Sequence, residues 1–185
     1  MVPNEVTYGV AVAACGNGGR WEEVLDLLDR MRAAGLRINT ITYNSVIAAL
    51  SRAARAESRM QQQHQHAAPP AGGDSSSSDP AADANVLWEK ALHLIRCMED
   101  EGVRRDSFTY SSAIGVCGAA GRWNEAVDLI GKMKRDGARP NRVAFTSAIT
   151  ACAGSRCAPP FAPYICLVLF LLFSLIENTS HNYSI

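Results

Sequence analysis

The chain has 185 residues, of which 48% are apolar, and its 18 basic side chains equal its 18 acidic ones in number. This composition fits one modest folded domain and excludes a partner that is held by net charge alone. Residues 86–157 carry eleven basic and eight acidic side chains, and this local excess weakly favours an anionic partner for that half of the chain.

A unit of 35 residues repeats along the chain. Residues 5–39 and 107–141 are identical at 15 of 35 positions, whereas unrelated sequences would share about two or three. A second unit covers residues 40–106 and contains an insertion, which we assign to 57–86. The pattern starts again at Arg142, and residues 142–157 are predicted to be the first helix of a truncated fourth unit. Such repeats predict an all-α fold, an α-solenoid of stacked helix–turn–helix hairpins.

Each unit is predicted to form two helices. The first is expected to begin at a threonine N-cap, which is Thr7, Thr42 or Thr109. The second has an apolar stripe at helical spacing, from a tryptophan to a methionine, over residues 21–31, 88–98 and 123–133,. A left-handed glycine is expected to end this second helix, at Gly35, Gly102 or Gly137. One hairpin cannot bury its stripe alone, so we interpret the stripe as packing surface between hairpins, not as a cofactor site.

Three of the six cysteines, Cys15, Cys117 and Cys152, recur at one position of the repeat. Equivalent positions of packed helices lie roughly 10 Å apart, whereas a disulfide needs Cα atoms within about 7 Å. We therefore interpret these cysteines as small packing residues in a reducing compartment.

The insertion at 57–86 is rich in Gln, Ala, Pro, Gly and Ser, and it is predicted to be a disordered loop. His64 and His66 within it lack cysteine or acidic neighbours at ligand spacing, so no metal site is predicted,.

Residues 158–185 form an apolar tail in which 161–176 is almost wholly apolar. Its proline-free run has 13 residues, fewer than the roughly 17–25 that span a bilayer. Three interpretations stay open: a short membrane anchor, a cap that packs on the array, or unrelated sequence from a truncated or misjoined reading frame.

Several motifs of the chain identify a family. They are V-T-Y at 6–8 with G-R-W-E-E-V-L-D-L-L-D-R-M at 19–31, I-T-Y-N at 41–44, and F-T-Y-S at 108–111 with G-R-W-N-E-A-V-D-L-I-G-K-M at 121–133. In unit length, T-Y opening and closing Asn or Asp, the chain resembles the pentatricopeptide repeat family, whose helical hairpins bind RNA in mitochondria and plastids. It looks like a fragment of the plain 35-residue class. The resemblance implies single-stranded RNA as the partner, other RNA-processing proteins as further partners, and a mitochondrial or chloroplast location.

The resemblance also implies which residues read the bases. These are the residue after the tyrosine or phenylalanine of the first helix and the last residue of the unit. The pairs are Gly9 with Asn39, Asn44 with Asp106, and Ser111 with Asn141, and Thr146 begins a fourth pair. By analogy with the family's code, the second pair selects uridine and the third adenosine, while Gly9 has no side chain to read a base. The alternative for these polar residues is helix capping and turn formation.

Two further sets of residues recur. The resemblance implies that bases are sandwiched between apolar side chains at Val6, Ile41, Phe108 and Val143. Arginines stand two residues before the end of each unit, at Arg37, Arg104 and Arg139. They are expected either to contact phosphates or to complement the C-terminus of the preceding helix.

Motifs of catalysis are missing from the sequence: it has no nucleophile elbow, no phosphate-binding glycine-lysine loop and no zinc-ligand spacing,. We therefore predict no catalytic residue, no metal and no cofactor. The expected function is non-catalytic binding of single-stranded RNA in organellar RNA processing or stabilisation. The alternative is a protein-interaction solenoid that binds a peptide or a partner protein.

Overall fold

The computed structural model describes residues 4–66 and 80–154, and over those residues it contains seven α-helices and no strand. The helices are α1 Glu5–Asn17, α2 Trp21–Ala33, α3 Thr40–His66, α4 Pro80–Asp100, α5 Ser107–Ala119, α6 Trp123–Arg135 and α7 Arg142–Gly154. Helices α1, α3, α5 and α7 pack side by side in one layer. Helices α2, α4 and α6 form a second layer, each packed between the first helix of its own hairpin and that of the next. The predicted all-α solenoid of stacked hairpins is confirmed.

The apolar stripe of each second helix faces the first-helix layer. In α6, for example, Ala126, Ile130 and Met133 are buried, and the same positions are buried in α2 and α4. Trp88 is only partly buried, and the guanidinium of Arg122 from the next unit lies 4.6 Å from the centre of its ring. The stripe is therefore packing surface, with its tryptophan at the outer edge.

The predicted left-handed glycines end all three second helices. Gly35, Gly102 and Gly137 have φ values of 67°, 66° and 73°. At the end of α2, the N–H of Gly35 donates to Arg32 O at 3.0 Å and that of Leu36 donates to Met31 O at 3.1 Å. This is the double hydrogen bond of a Schellman motif, which needs a residue that tolerates positive φ.

The predicted threonine N-caps are wrong by three residues. The caps of the first helices are Asn4, Asn39, Asp106 and Asn141, whose side-chain oxygens accept the backbone N–H three residues later at 2.8–2.9 Å. Asparagine and aspartate cap at least as well as threonine. The threonine hydroxyl instead binds back toward the cap, and at Thr109 it accepts the N–H of Asp106 at 3.2 Å to complete a capping box,.

Buried tyrosines take part in the contacts within and between hairpins. Tyr43 and Tyr110 are fully buried. The Tyr43 hydroxyl accepts a hydrogen bond from Arg32 at 2.9 Å, and burial raises the pKa of Tyr43 to about 12. The Tyr110 hydroxyl donates to Asp136, which also pairs with Arg105 at 2.8 Å. Arg32 with Tyr43 and Arg105 with Asp136 join residues of consecutive units, whereas Tyr110 with Asp136 joins the two helices of one hairpin.

The prediction of a disordered loop at 57–86 is wrong at both of its ends. Helix α3 continues to His66, and α4 begins at Pro80. The physical reason is that residues 57–66 contain no proline or glycine and are rich in good helix formers,, while proline is compatible with the first helical position. Residues 67–79 lie outside the described residues.

The tail at 158–185 also lies outside the described residues, and with it the predicted segment 161–176. Among the helices that the structure describes, none combines the length and the apolar character needed to cross a membrane. Cys117 and Cys152 are buried, and Cys15 is partly buried. Burial raises the pKa of Cys117 to about 12, as expected for a packing residue,.

Candidate nucleic-acid interface

The second unit brings its predicted base-reading pair into direct contact. The amide nitrogen of Asn44 lies 3.1 Å from Oδ2 and 3.3 Å from Oδ1 of Asp106. The hydroxyl of Thr109 lies 2.6 Å from the oxygen of the same amide and 2.9 Å from Oδ1 of Asp106, and it can donate its one proton to either,. Oδ1 of Asp106 also accepts the capping hydrogen bond from Thr109 N–H, so Oδ2 is the nearer and less occupied acceptor for Asn44. Asp106 is therefore both an N-cap and a member of the predicted pair.

The charge of Asp106 is held in place by these contacts. Burial acts to raise the pKa of Asp106, but the backbone and hydroxyl of Thr109 and the amide of Asn44 donate hydrogen bonds that lower it below its usual value. The carboxylate is therefore ionised at neutral pH, and it offers only acceptors to a ligand.

The third unit also joins its pair. The hydroxyl of Ser111 lies 3.0 Å from Oδ1 of Asn141 and 2.6 Å from the carbonyl of Ser107. Oδ1 of Asn141 accepts the capping bond from Ala144 as well. Ser111 is only 5% exposed. A ligand at this site would meet Asn141 before it meets Ser111.

The first and fourth units differ from this arrangement. A Cβ added to Gly9 would have Thr42 Oγ1 as its nearest neighbour, 4.0 Å away, so the first unit has open space where the others have a polar side chain. Asn39 serves as the cap of α3. Thr146 is exposed, and its hydroxyl bonds back to the carbonyl of Arg142 at 2.7 Å.

The four residues predicted to sandwich bases form a row of exposed apolar side chains. Val6, Ile41, Phe108 and Val143 are 71%, 75%, 54% and 52% exposed. Each is the second residue of a first helix, one turn before the first member of the reading pair. Large apolar side chains are costly in water, so a row of them at one position of the repeat indicates a contact surface.

The recurring arginines lie at the same edge of the array. Arg37, Arg104 and Arg139 are exposed in the loops that precede the first helices. The carbonyls of Arg104 and Arg139 accept hydrogen bonds at 3.0 Å from Thr40 and Ser107, the first residues of α3 and α5. Each bond joins the first residue of a unit to the loop that ends the same unit, which places Arg104 and Arg139 near the helix ends that carry the exposed apolar row.

A groove between α3, α5 and α7 joins predicted and unpredicted residues. It has a volume of 260 Å³ and is lined by Phe108, Ser111, Asn141 and Val143 together with Arg52 and Arg55. The two arginines were not predicted from the sequence. They lie eight and eleven residues after Asn44 on α3, close to two and three helical turns, and extending the helical period from Asn44 would have found them. In residues 4–66 and 80–154, no group of three His, Cys, Asp or Glu side chains could hold a metal ion.

Two family models match the chain. Residues 3–52 match the PPR repeat family, and residues 93–155 match the pentatricopeptide repeat domain. A pentatricopeptide repeat-containing protein from Arabidopsis thaliana is 35% identical over 54 residues, which are 29% of this chain and 10% of that protein. The match therefore spans about a tenth of the length of that relative.

Solved structures resemble the fold. Nuclear proteinaceous RNase P 2 from A. thaliana superposes with a TM-score of 0.65 at 11% identity, over 92% of this chain and 32% of that chain. The pentatricopeptide repeat protein PPR10 from maize matches with a TM-score of 0.41 at 26% identity, over 96% of this chain and 25% of that chain. The first likeness agrees with the stacked hairpins described above. From its repeats, its fold and the two family models, the chain belongs to the pentatricopeptide repeat family.

Proposed function

We propose that this chain binds single-stranded RNA without catalysing a reaction, one nucleotide per unit, along the N-terminal turns of α1, α3, α5 and α7. The observation that carries the proposal is a repeated juxtaposition. In two successive units a polar pair in hydrogen-bond contact, Asn44–Asp106 and Ser111–Asn141, lies beside an exposed apolar side chain. An unstacked nucleobase needs both features, because its edge forms hydrogen bonds and its faces are apolar.

The chemistry of the second unit favours uridine. The ionised Asp106 accepts the N3–H of uracil, while the Asn44 amide donates to a uracil carbonyl. Cytosine has a lone pair at N3, which the carboxylate repels. In the third unit the hydroxyl of Ser111 and the amide of Asn141 can both donate and accept, which suits the N1 acceptor and the amino group of adenine.

The proposed setting is organellar RNA processing or stabilisation, in a mitochondrion or chloroplast, together with other RNA-processing proteins. Family membership supports this setting. Three complete units would contact about three nucleotides at one base per repeat, so binding by this chain is expected to be weak. The base-reading, sandwiching and phosphate roles of the residues named above belong to this proposal.

The test is fluorescence anisotropy of the chain with a labelled single-stranded RNA rich in U and A. Matched DNA and duplex RNA serve as controls, and salt is titrated. We expect a preference for single-stranded RNA that weakens steeply with salt and is reduced by Asn44→Ala. The exposed apolar row also suits an apolar peptide, which makes a protein-interaction solenoid the alternative. A folded chain that shows no salt-sensitive RNA binding would favour that alternative.

A further inference from the structure

Helix α3 is twice as long as its counterparts. It has 27 residues, whereas α1, α5 and α7 each have 13. Its added length passes the C-terminal end of α5, where the hydroxyl of Ser58 donates to the carbonyl of Ala119 at 2.8 Å. This contact fixes the extension against the next hairpin.

The extension creates a second groove, between α3, α5 and α7, with a volume of 470 Å³. Three arginines line it: Arg55 and Arg59 from α3 and Arg142 from α7. The other polar side chains of its described lining are hydroxyls, among them Ser58, Thr146 and Thr150, and that lining contains no carboxylate. All three arginines are exposed.

Two glycines of α5 keep this groove open. A Cβ on Gly115 would lie 2.8 Å from a guanidinium nitrogen of Arg55, and one on Gly118 would lie 2.7 Å from the carbonyl oxygen of Ser147. Both distances are too short for a real side chain. The helices therefore approach through their backbones, and the Arg55 guanidinium lies directly against α5.

The three arginines of the groove favour the binding of an anion. Arg142 is the first residue of α7, where the helix dipole disfavours a cation, so its position does not serve the helix. Three guanidinium groups that share a groove repel one another in the absence of a negative group. A guanidinium binds a phosphate through two parallel hydrogen bonds, and the hydroxyls add donors beside it.

We propose that this groove binds a backbone phosphate of the RNA strand whose bases meet the third and fourth units. The inference rests on the proposed function. Its link to the base contacts is direct, because Val143 and Thr146 line this groove, and Arg55 and Val143 also line the smaller groove that holds Ser111 and Asn141. The extension of α3 thus adds a sequence-independent contact to a row of base contacts.

The test compares the salt dependence of RNA binding by the whole chain and by the double variant Arg59→Gln, Arg142→Gln. Arg96→Gln is the matched control, because Arg96 is an exposed arginine of α4 in a cleft with Glu125 and Asp128. Loss of one neutralised phosphate should lower the slope of log affinity against log salt by about 0.7, which corresponds to roughly fivefold weaker binding at about 0.1 M salt. Equal melting temperatures of the unaltered chain and the two variants would show that all three proteins fold.

The outcomes separate this inference from the proposed function. Weaker binding of every RNA by the same factor, with the base preference kept and Arg96→Gln unchanged, would support a phosphate site. An unchanged slope in the double variant, with the base preference intact, would overturn the phosphate site alone. An unaltered chain that binds no RNA would overturn both.

Discussion

Replacement of Asp106 by asparagine changes one atom of the junction between the second and third units. Asparagine caps helices as well as aspartate does, so its oxygen should keep the hydrogen bond that Thr109 N–H now gives to Oδ1 at 2.8 Å. The cap then forces the amide nitrogen into the place of Oδ2, the atom that faces Asn44 at 3.1 Å. An acceptor becomes a donor where the base edge is proposed to bind.

The effect on base preference follows from this exchange. The N3–H of uracil loses its acceptor, while the N3 lone pair of cytosine gains a donor. At about 1 kcal/mol for each hydrogen bond lost or gained, preference moves toward cytidine by about 2 kcal/mol, roughly thirtyfold in the ratio of affinities. The fold loses the bond from Asn44 and a charge at a helix N-terminus, together about 1–2 kcal/mol of stability.

The assay is anisotropy with two RNAs that differ only by U or C at the nucleotide assigned to the second unit. A second pair of RNAs, altered at the nucleotide of the third unit, should show the same discrimination with both proteins. If Asp106→Asn melts normally and leaves the ratio of U to C affinity unchanged, Asp106 does not read a base and acts only as a cap.

Three further predictions concern pH and stability. The pKa of Asp106 is lowered in the folded chain, so the stability that its carboxylate contributes is present above the ordinary value of 3.8 and is lost as pH falls below it,. The preference for uridine should therefore stay level from about pH 8 to 5. A decline within that range, in anisotropy titrations at a series of pH values, would contradict this reasoning. Tyr110→Phe removes a buried hydroxyl bonded to Asp136 and should lower the free energy of unfolding in urea by about 1.5–3 kcal/mol. A loss below about 0.5 kcal/mol would mean that this bond between α5 and the end of α6 does not stabilise the fold. Gly137→Ala forces an alanine to φ 73° and should lower the free energy of unfolding by about 1–2 kcal/mol. Gly131→Ala, in open space within α6, should raise it by about 0.5–1 kcal/mol. If both substitutions shift the melting temperature in the same direction, Gly137 does not end the helix as assigned.

The second helices were predictable because their information is local. The apolar stripe from Trp123 to Met133 predicts both the helical period and the start of α6, and Gly137 predicts where the helix ends. The start of the first helices was misplaced because Asn4 and Thr7 are both good caps, and only the hydrogen bond between them decides which one caps the helix.

The length of α3 and the arginine grooves could not be predicted in the same way. The extension of α3 is held by Ser58 against Ala119, 61 residues away in the sequence, and no local pattern reveals such a contact. Arg52 and Arg55 carried no motif of their own. Their role depends on the residues of α5 and α7 that line the groove with them. Gly16 and Gly115, which Arg52 and Arg55 closely approach, are local signs of these contacts.

The double role of Asp106 limits how this surface can be recoded. A residue that must cap α5 is drawn from the few short polar types that accept a backbone N–H, chiefly Asn, Asp, Ser and Thr. Among variants at position 106, those that cannot cap α5 will therefore be lost because they fold poorly, whatever base they would prefer. Position 44 does not cap a helix, since Asn44 lies inside α3. A wider choice of side chains can therefore be tried there.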